Sequence, residues 1–217
     1  MSRSRSRYRI RYYDLFSRVY DRFVAAHSSD REGRLRGVLA DRATLWGGNR
    51  VLDLCTGTGA MLPALRRRVD PAGLVVGLDF SRGMLARARR KLASAGHVAL
   101  IRADAECLPF RDGSFDAITC SHAFYELKGT GAEQALREVT RTLGAGGRFL
   151  MMEHELPEKW PIRLLFYVRL LSMGLRKAVE VLGHEEDLFR RHFGVVERVT
   201  TGTGRSKIVV GLATPKA

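Results

Sequence analysis

Val51–Ala60 reads VLDLCTGTGA. An apolar run carrying one acid, Val51–Leu54, reads as a buried strand; it opens into a tight loop holding Gly57 and Gly59, and a helix is expected to start near Met61. Glycine admits positive φ and lets a ligand approach where a Cβ would block it. The start of a helix leaves N–H groups without partners, facing that ligand. The stretch therefore predicts a small-molecule cradle at the carboxyl end of a first parallel strand. Val75–Leu85, VVGLDFSRGML, is a second apolar strand ending in Asp79, which stands 20 residues after Gly59. That matches the ~20-residue spacing of an acid that binds ribose hydroxyls, and a carboxylate accepts both hydroxyls of a cis-diol.

The glycine pattern argues against a nicotinamide dinucleotide. The GxGxxG fingerprint needs a third glycine for close helix–strand packing, and here that position is Leu62. Asp53 would also repel a pyrophosphate. It suits a ligand with a cationic end, and S-adenosylmethionine carries an ammonium, a sulfonium, a ribose diol and an adenine. At these residues the chain resembles the class I S-adenosylmethionine-dependent methyltransferases, whose first motif, hhDhGxGxG, reads VLDLCTGTG here, with Cys55 replacing the first glycine. The resemblance covers roughly Tyr12–Phe149. LDFSRGML, RADAECLPFRDGSFDAITCSHAFYEL and REVTRTLGAGGRFLMMEH look most like the ubiquinone/menaquinone biosynthesis C-methyltransferases and their lipid- and thiol-methylating relatives. The resemblance implies S-adenosylmethionine as cofactor and S-adenosylhomocysteine as product. It implies that Asp79 binds ribose, Asp104 the adenine amino group, Ala105 or Glu106 the ring faces, and Asp53 with the 55–59 loop the methionine portion. The full implied cofactor set adds Tyr20, Leu54, Cys55, Thr56, Gly57, Thr58, Gly59, Phe80, Ser81, Met84, Ala103, Ser121 and His122.

The order of elements predicts an α/β, Rossmann-like fold. It should hold a mostly parallel seven-stranded sheet, helices on both faces, and a C-terminal antiparallel hairpin. Strands are expected near 51–54, 74–79, 98–102, 115–120 and 147–153, then Val195–Thr201 and Lys207–Ala213 joined through Gly202–Gly204. Helices are expected near Asp30–Leu45, ended by Gly47-Gly48, and near 61–69, 82–95 and 131–142. Residues 1–11 form a basic flexible arm ahead of one domain, 12–217. Residues 12–46 supply cap helices, and 155–190 a variable substrate cover that includes the apolar Lys159–Leu182. Tyr12, Phe16, Tyr20 and Phe23 recur at helical spacing as an aromatic stripe, read as packed on the core or lying over the cofactor.

The chain has 217 residues, 37 Lys+Arg against 23 Asp+Glu, and a formal net charge of +14. Such a surface favours anionic partners, whether a phospholipid membrane surface or nucleic acid. Cys55, Cys107 and Cys120 show no metal spacing and fit a reducing, cytoplasmic compartment; no metal site is expected. No apolar run reaches the ~18 residues of a membrane span. Methyl transfer mainly requires alignment, and a base only where the acceptor must lose a proton. Candidates at the ends of the fourth and fifth strands are Ser121, His122, Tyr125, Glu126, Glu153, His154 and Glu155; His154, His122 and Glu126 are the catalytic expectation, His154 first. The expected acceptor is a small or lipid-like molecule of the quinone, phospholipid or thiol class. RNA methylation guided by the arginine-rich arm and nucleotide binding without methyl transfer stay open, as does the oligomeric state.

Overall fold

The computed structural model describes residues 11–18, 20–21, 33–92, 96–127, 130–155, 160–161, 164, 184–201 and 206–214. Most of the expected arm, Phe23, the body of the Lys159–Leu182 cover and the 202–204 turn lie outside the described residues. The chain divides into two compact units, one ending at Pro109 and one starting at Phe110.

In the N-terminal unit, residues 11–18 and 20–21 are helical and precede helix α1 (Arg34–Arg42). Strand β1 (Arg50–Leu54) leads to α2 (Leu62–Arg66), and β2 (Leu74–Asp79) to α3 (Arg82–Lys91) and β3 (Val98–Arg102). The strands run parallel with β2 in the middle, Val51 opposite Val75 and Val75 opposite Val98. After its first residue, each of β1 and β2 is buried throughout. That is the unbroken apolar pattern of a parallel strand covered on both faces. Pro63 sits in the first turn of α2, where no backbone donor is lost. Ser81 caps α3 by accepting the Met84 N–H at 3.2 Å, and Arg89, Arg90 and Lys91 complement its carboxyl end.

The C-terminal unit holds β4 (Phe115–Ser121), a 3-10 turn (Phe124–Glu126), α4 (Thr130–Thr142), β5 (Leu143–His154), α5 (Glu185–Arg190), β6 (Val195–Thr200) and β7 (Ser206–Leu212). β4 and β5 are parallel, β7 lies antiparallel to β5, and β6 is antiparallel to β7. Phe124, Phe149, Phe189 and Phe193 form its aromatic core, with the Phe149 and Phe189 rings stacked at 5.1 Å. Each such ring contributes roughly 1.5–3 kcal/mol by leaving water. The seven strands give the expected mixed, mostly parallel α/β fold.

Several boundaries differ from the sequence expectation, α2 among them: expected over 61–69, it ends at Arg66. The first long helix spans only Arg34–Arg42 rather than 30–45; residues 30–32 are outside the described set. It ends at Arg42, just ahead of Thr44 at φ 52 and before Gly47-Gly48 is reached. α3 ends at Lys91. β5 begins at Leu143, not 147, because Leu143 already pairs with Phe115; the glycine-rich residues 144–147 then bulge opposite Asp116, and pairing resumes between Arg148 and Ala117. A Cβ on Gly147 would stand 3.2 Å from the Asp116 carbonyl oxygen, so glycine here permits close strand approach.

Candidate active site

The glycine loop grows from the tip of β1. Cys55 takes φ 55, a left-handed conformation that glycine normally fills, and so accommodates its Cβ under strain. The Thr56 N–H returns to the Leu78 carbonyl at 2.8 Å, tying the loop to β2. Asp53 is only 1% exposed, and its Oδ2 accepts the Thr56 hydroxyl at 2.6 Å. Its charge thus shapes the turn from inside.

Asp79 ends β2 at 6% exposure. Its Oδ2 accepts the Gly57 N–H at 2.9 Å and its Oδ1 the Ser81 N–H at 2.8 Å. One carboxylate therefore joins the glycine loop to the start of α3. A carboxylate has about four lone-pair sites, enough to hold both amides and accept ligand hydroxyls as well. Gly57 takes φ 55 with nothing among the described residues within 4 Å of where its Cβ would stand, leaving that side of the loop open to them. Gly59, at φ 76, is closed in: a Cβ would meet Ala88 Cβ at 3.0 Å and Leu62 Cδ1 at 3.2 Å. Leu62 thus fills the place where the dinucleotide fingerprint has its third glycine.

The Ala103 N–H donates to the Asp79 carbonyl at 3.2 Å. Asp104 is exposed, and its Oδ1 accepts the Glu106 N–H at 3.1 Å, which turns the chain over buried Ala105. Leu54, Met84 and Ser81 are buried; Phe80 and Tyr20 are half-buried.

The N-terminal helical residues are fastened to this cradle by contacts that the aromatic stripe did not reveal. Asp14 Oδ1 accepts the Ser81 hydroxyl at 2.7 Å and the Gly83 N–H at 2.8 Å, an anion at the start of α3. Asp21 Oδ1 accepts the Thr58 hydroxyl at 2.7 Å and the Lys91 ammonium at 2.8 Å. Burial pushes the Asp21 carboxyl up, but the Lys91 and Thr58 hydrogen bonds outweigh it and hold it below the ordinary aspartate value. Asp14, Ser17 and Asp21 are spaced three and four apart, one polar face two turns long. That spacing is the signal that would have found them. Within the aromatic stripe, Tyr12 is 50% exposed, and Phe16 stacks on Tyr12 and meets Tyr20 edge-on along its own helix. Tyr13 instead reaches the cradle, edge-on to Phe80 with ring centres 5.4 Å apart.

Gly83 admits this fastening. A Cβ there would stand 2.6 Å from Ser17 Oγ, 2.8 Å from the Asp14 carbonyl oxygen and 2.9 Å from Asp14 Cα. Gly83→Ala is expected to displace residues 11–21 while leaving α3 helical. Trypsin should then cut at Arg18 several-fold faster, with the circular dichroism unchanged. Equal cleavage rates would refute the fastening.

The C-terminal unit carries the acceptor-side candidates. His122 follows β4 at φ 52, its N–H donating to the Met152 carbonyl at 2.7 Å. The His122 and His154 rings lie 4.5 Å apart, and Tyr125 lies 6.1 Å from His154. Ser121, His122, Tyr125, Glu126, His154 and Glu155 are all half-buried. Glu155 is held by Arg198 at 2.8 Å. Glu153 differs: it is 0% exposed, so it cannot be the base touching a substrate. Among the described residues no cluster suits a metal ion, and no helix is long and apolar enough to cross a membrane.

Residues 51–147 match the family described as Methyltransferase domain. The chain is 40% identical to a demethylmenaquinone methyltransferase of Thermus thermophilus over 72% of this chain and 67% of that relative. It is 32% identical to a ubiquinone/menaquinone biosynthesis C-methyltransferase of Geobacter sulfurreducens over 78% of this chain and 66% of that relative, so about a third of each relative lies outside the match. Among solved structures, a chain of the Haloferax volcanii complex between a methyltransferase and its activator superimposes with a TM-score of 0.74. It is 21% identical and covers 93% of this chain and 97% of that one, a likeness of fold.

Proposed function

The chain belongs to the class I S-adenosylmethionine-dependent methyltransferases, and from that membership we propose that it methylates a lipid-like acceptor of the quinol class. Its cofactor is S-adenosylmethionine. When bound, this group supplies a methyl on a cationic sulfur that departs as a neutral thioether. The residues fit it: an open face at Gly57, a strand-tip acid at Asp79 and an exposed acid at Asp104 answer methionine, ribose and adenine. In this reading the Asp79 carboxylate accepts the sugar hydroxyls, Asp104 the adenine amino group, and the 55–59 backbone the amino-acid end. Asp53 acts on that end through the turn it holds.

The observation that carries the reading is the linkage of Gly57 and Ser81 through Asp79, which sets the loop before any ligand arrives. The names of the Thermus and Geobacter relatives support the acceptor class. For a quinol, His154 is the proton acceptor, with His122 beside it and Glu126 on the adjoining turn. Imidazole is the side chain whose ordinary chemistry suits that work at neutral pH. Exposed Arg11, Leu15 and Arg18 share one helical face, a basic and apolar surface suited to an anionic membrane that stores such an acceptor.

Purified protein with labelled donor, offered demethylated naphthoquinols, phospholipids, thiols and RNA, tests the proposal. Label in the naphthoquinol is the expected result; label only in another class overturns it. S-adenosylhomocysteine at ~100 times its Kd should add about 2.7 kcal/mol of stability, roughly 5–10 °C in Tm, and NAD none.

A further inference from the structure

We infer that Glu153 is a positioning residue: from the end of β5 its buried carboxyl fixes the backbone of the Phe124–Glu126 turn, and with it the place of Tyr125 and Glu126 at the acceptor side. The role in turnover rests on the methyltransferase reading; the backbone contact does not.

Glu153 Oε1 accepts the Phe124 N–H at 2.8 Å and the Tyr125 N–H at 3.4 Å. These are the opening amides of the 3-10 turn, which has no cap from its own preceding residue, Ala123. The cap therefore comes from a strand 29 residues further along the chain. Phe124 is fully buried, its ring 6.2 Å from Phe149 and 6.4 Å from Phe189. The side chain of the turn's first residue is thus anchored in the core while its amide is anchored on Glu153. Tyr125 and Glu126 follow, half-buried and fixed by both.

The carboxyl works as a neutral acid. Its pKa is raised to about 8: burial is the main cause, the Phe124 and Tyr125 amides oppose it, and the negative charges of Glu185 on α5 and Glu126 on the turn add to the rise. Lys207, opposite Glu153 on β7, does not neutralise it, because its ammonium bonds Glu185 at 2.9 Å. Among the described residues Glu153 Oε2 meets no hydrogen-bond partner, so the accepting is done by Oε1. A glutamine has the same shape and retains the accepting oxygen. Leucine retains the volume and lacks the acceptor.

The test compares Glu153→Gln, Glu153→Leu and Glu153→Asp by amide exchange at Phe124 and Tyr125 and by turnover of a demethylated naphthoquinol. In Glu153→Gln, exchange and kcat should stay within about twofold of the parent at pH 7. In Glu153→Leu, and in Glu153→Asp if leucine prevents folding, both amides should exchange at least tenfold faster and kcat should fall at least tenfold. S-adenosylhomocysteine affinity should be unchanged. Unchanged exchange in the leucine and aspartate variants overturns the contact. A glutamine variant as inactive as leucine makes Glu153 a proton carrier and overturns the positioning role. If the parent itself turns over no naphthoquinol, the acceptor class fails and exchange still decides the contact.

Discussion

Asp79→Ala is expected to weaken S-adenosylhomocysteine binding by about 1–3 kcal/mol, between roughly fivefold and 150-fold in Kd, through loss of charge-assisted hydrogen bonds. The same substitution should lower Tm without ligand. Asp79 is the common acceptor for the Gly57 and Ser81 N–H groups, so alanine leaves both amides without that partner beside the cradle. Asp79→Asn separates the two effects: its single carbonyl oxygen can hold one amide, while its NH2 group faces the other with a donor. Calorimetry and thermal melts on both variants check this. Unchanged affinity in Asp79→Ala would remove the ribose role, and unchanged Tm would remove the structural one.

Glu153→Gln is expected to gain stability over the parent as pH rises. Unfolded, the carboxyl ionises near 4.5; folded, it keeps its proton to about 8. Between those values the folded state binds the extra proton, so raising pH favours unfolding, and the loss levels off above about 8. At 1.36 kcal/mol per pH unit, the full window amounts to ~5 kcal/mol at most. For a chain of this size that is on the order of 10 °C in Tm. Glutamine does not titrate and should abolish this component. Melts of parent and variant at intervals from pH 5 to 9 should diverge; parallel curves would show that Glu153 ionises normally.

Local features were legible in the sequence, and distant pairings were not. β2 and β3 match their expected bounds because LVVGLD and VALIR are short apolar runs set off by turns. The Asp79–loop unit was legible because a strand, a tight turn and an acid at fixed spacing constrain one another within thirty residues. The start of β5 was hidden: GAGG reads as a turn and does bulge from the sheet, and only the pairing of Leu143 with Phe115 carries the strand back to 143. The Asp14–Ser81 bond joins residues 67 apart and the Glu153–Phe124 bond residues 29 apart. No periodicity encodes either. His154 and the adjoining Glu153 were both read as candidate bases from their place at a strand end, and nothing in the sequence showed that burial gives Glu153 a different task.

The Lys207–Glu185 pair, nearly sealed from water and opposite Glu153 in strand register, also limits how the chain can drift. Loss of one partner leaves a buried charge stranded, at a cost of about 3–5 kcal/mol, whereas joint replacement by apolar groups of similar volume can be neutral. Positions 185 and 207 should therefore change in concert in descendants of this sequence, while Met151 and Met152 on β5 can be exchanged singly for side chains of like size.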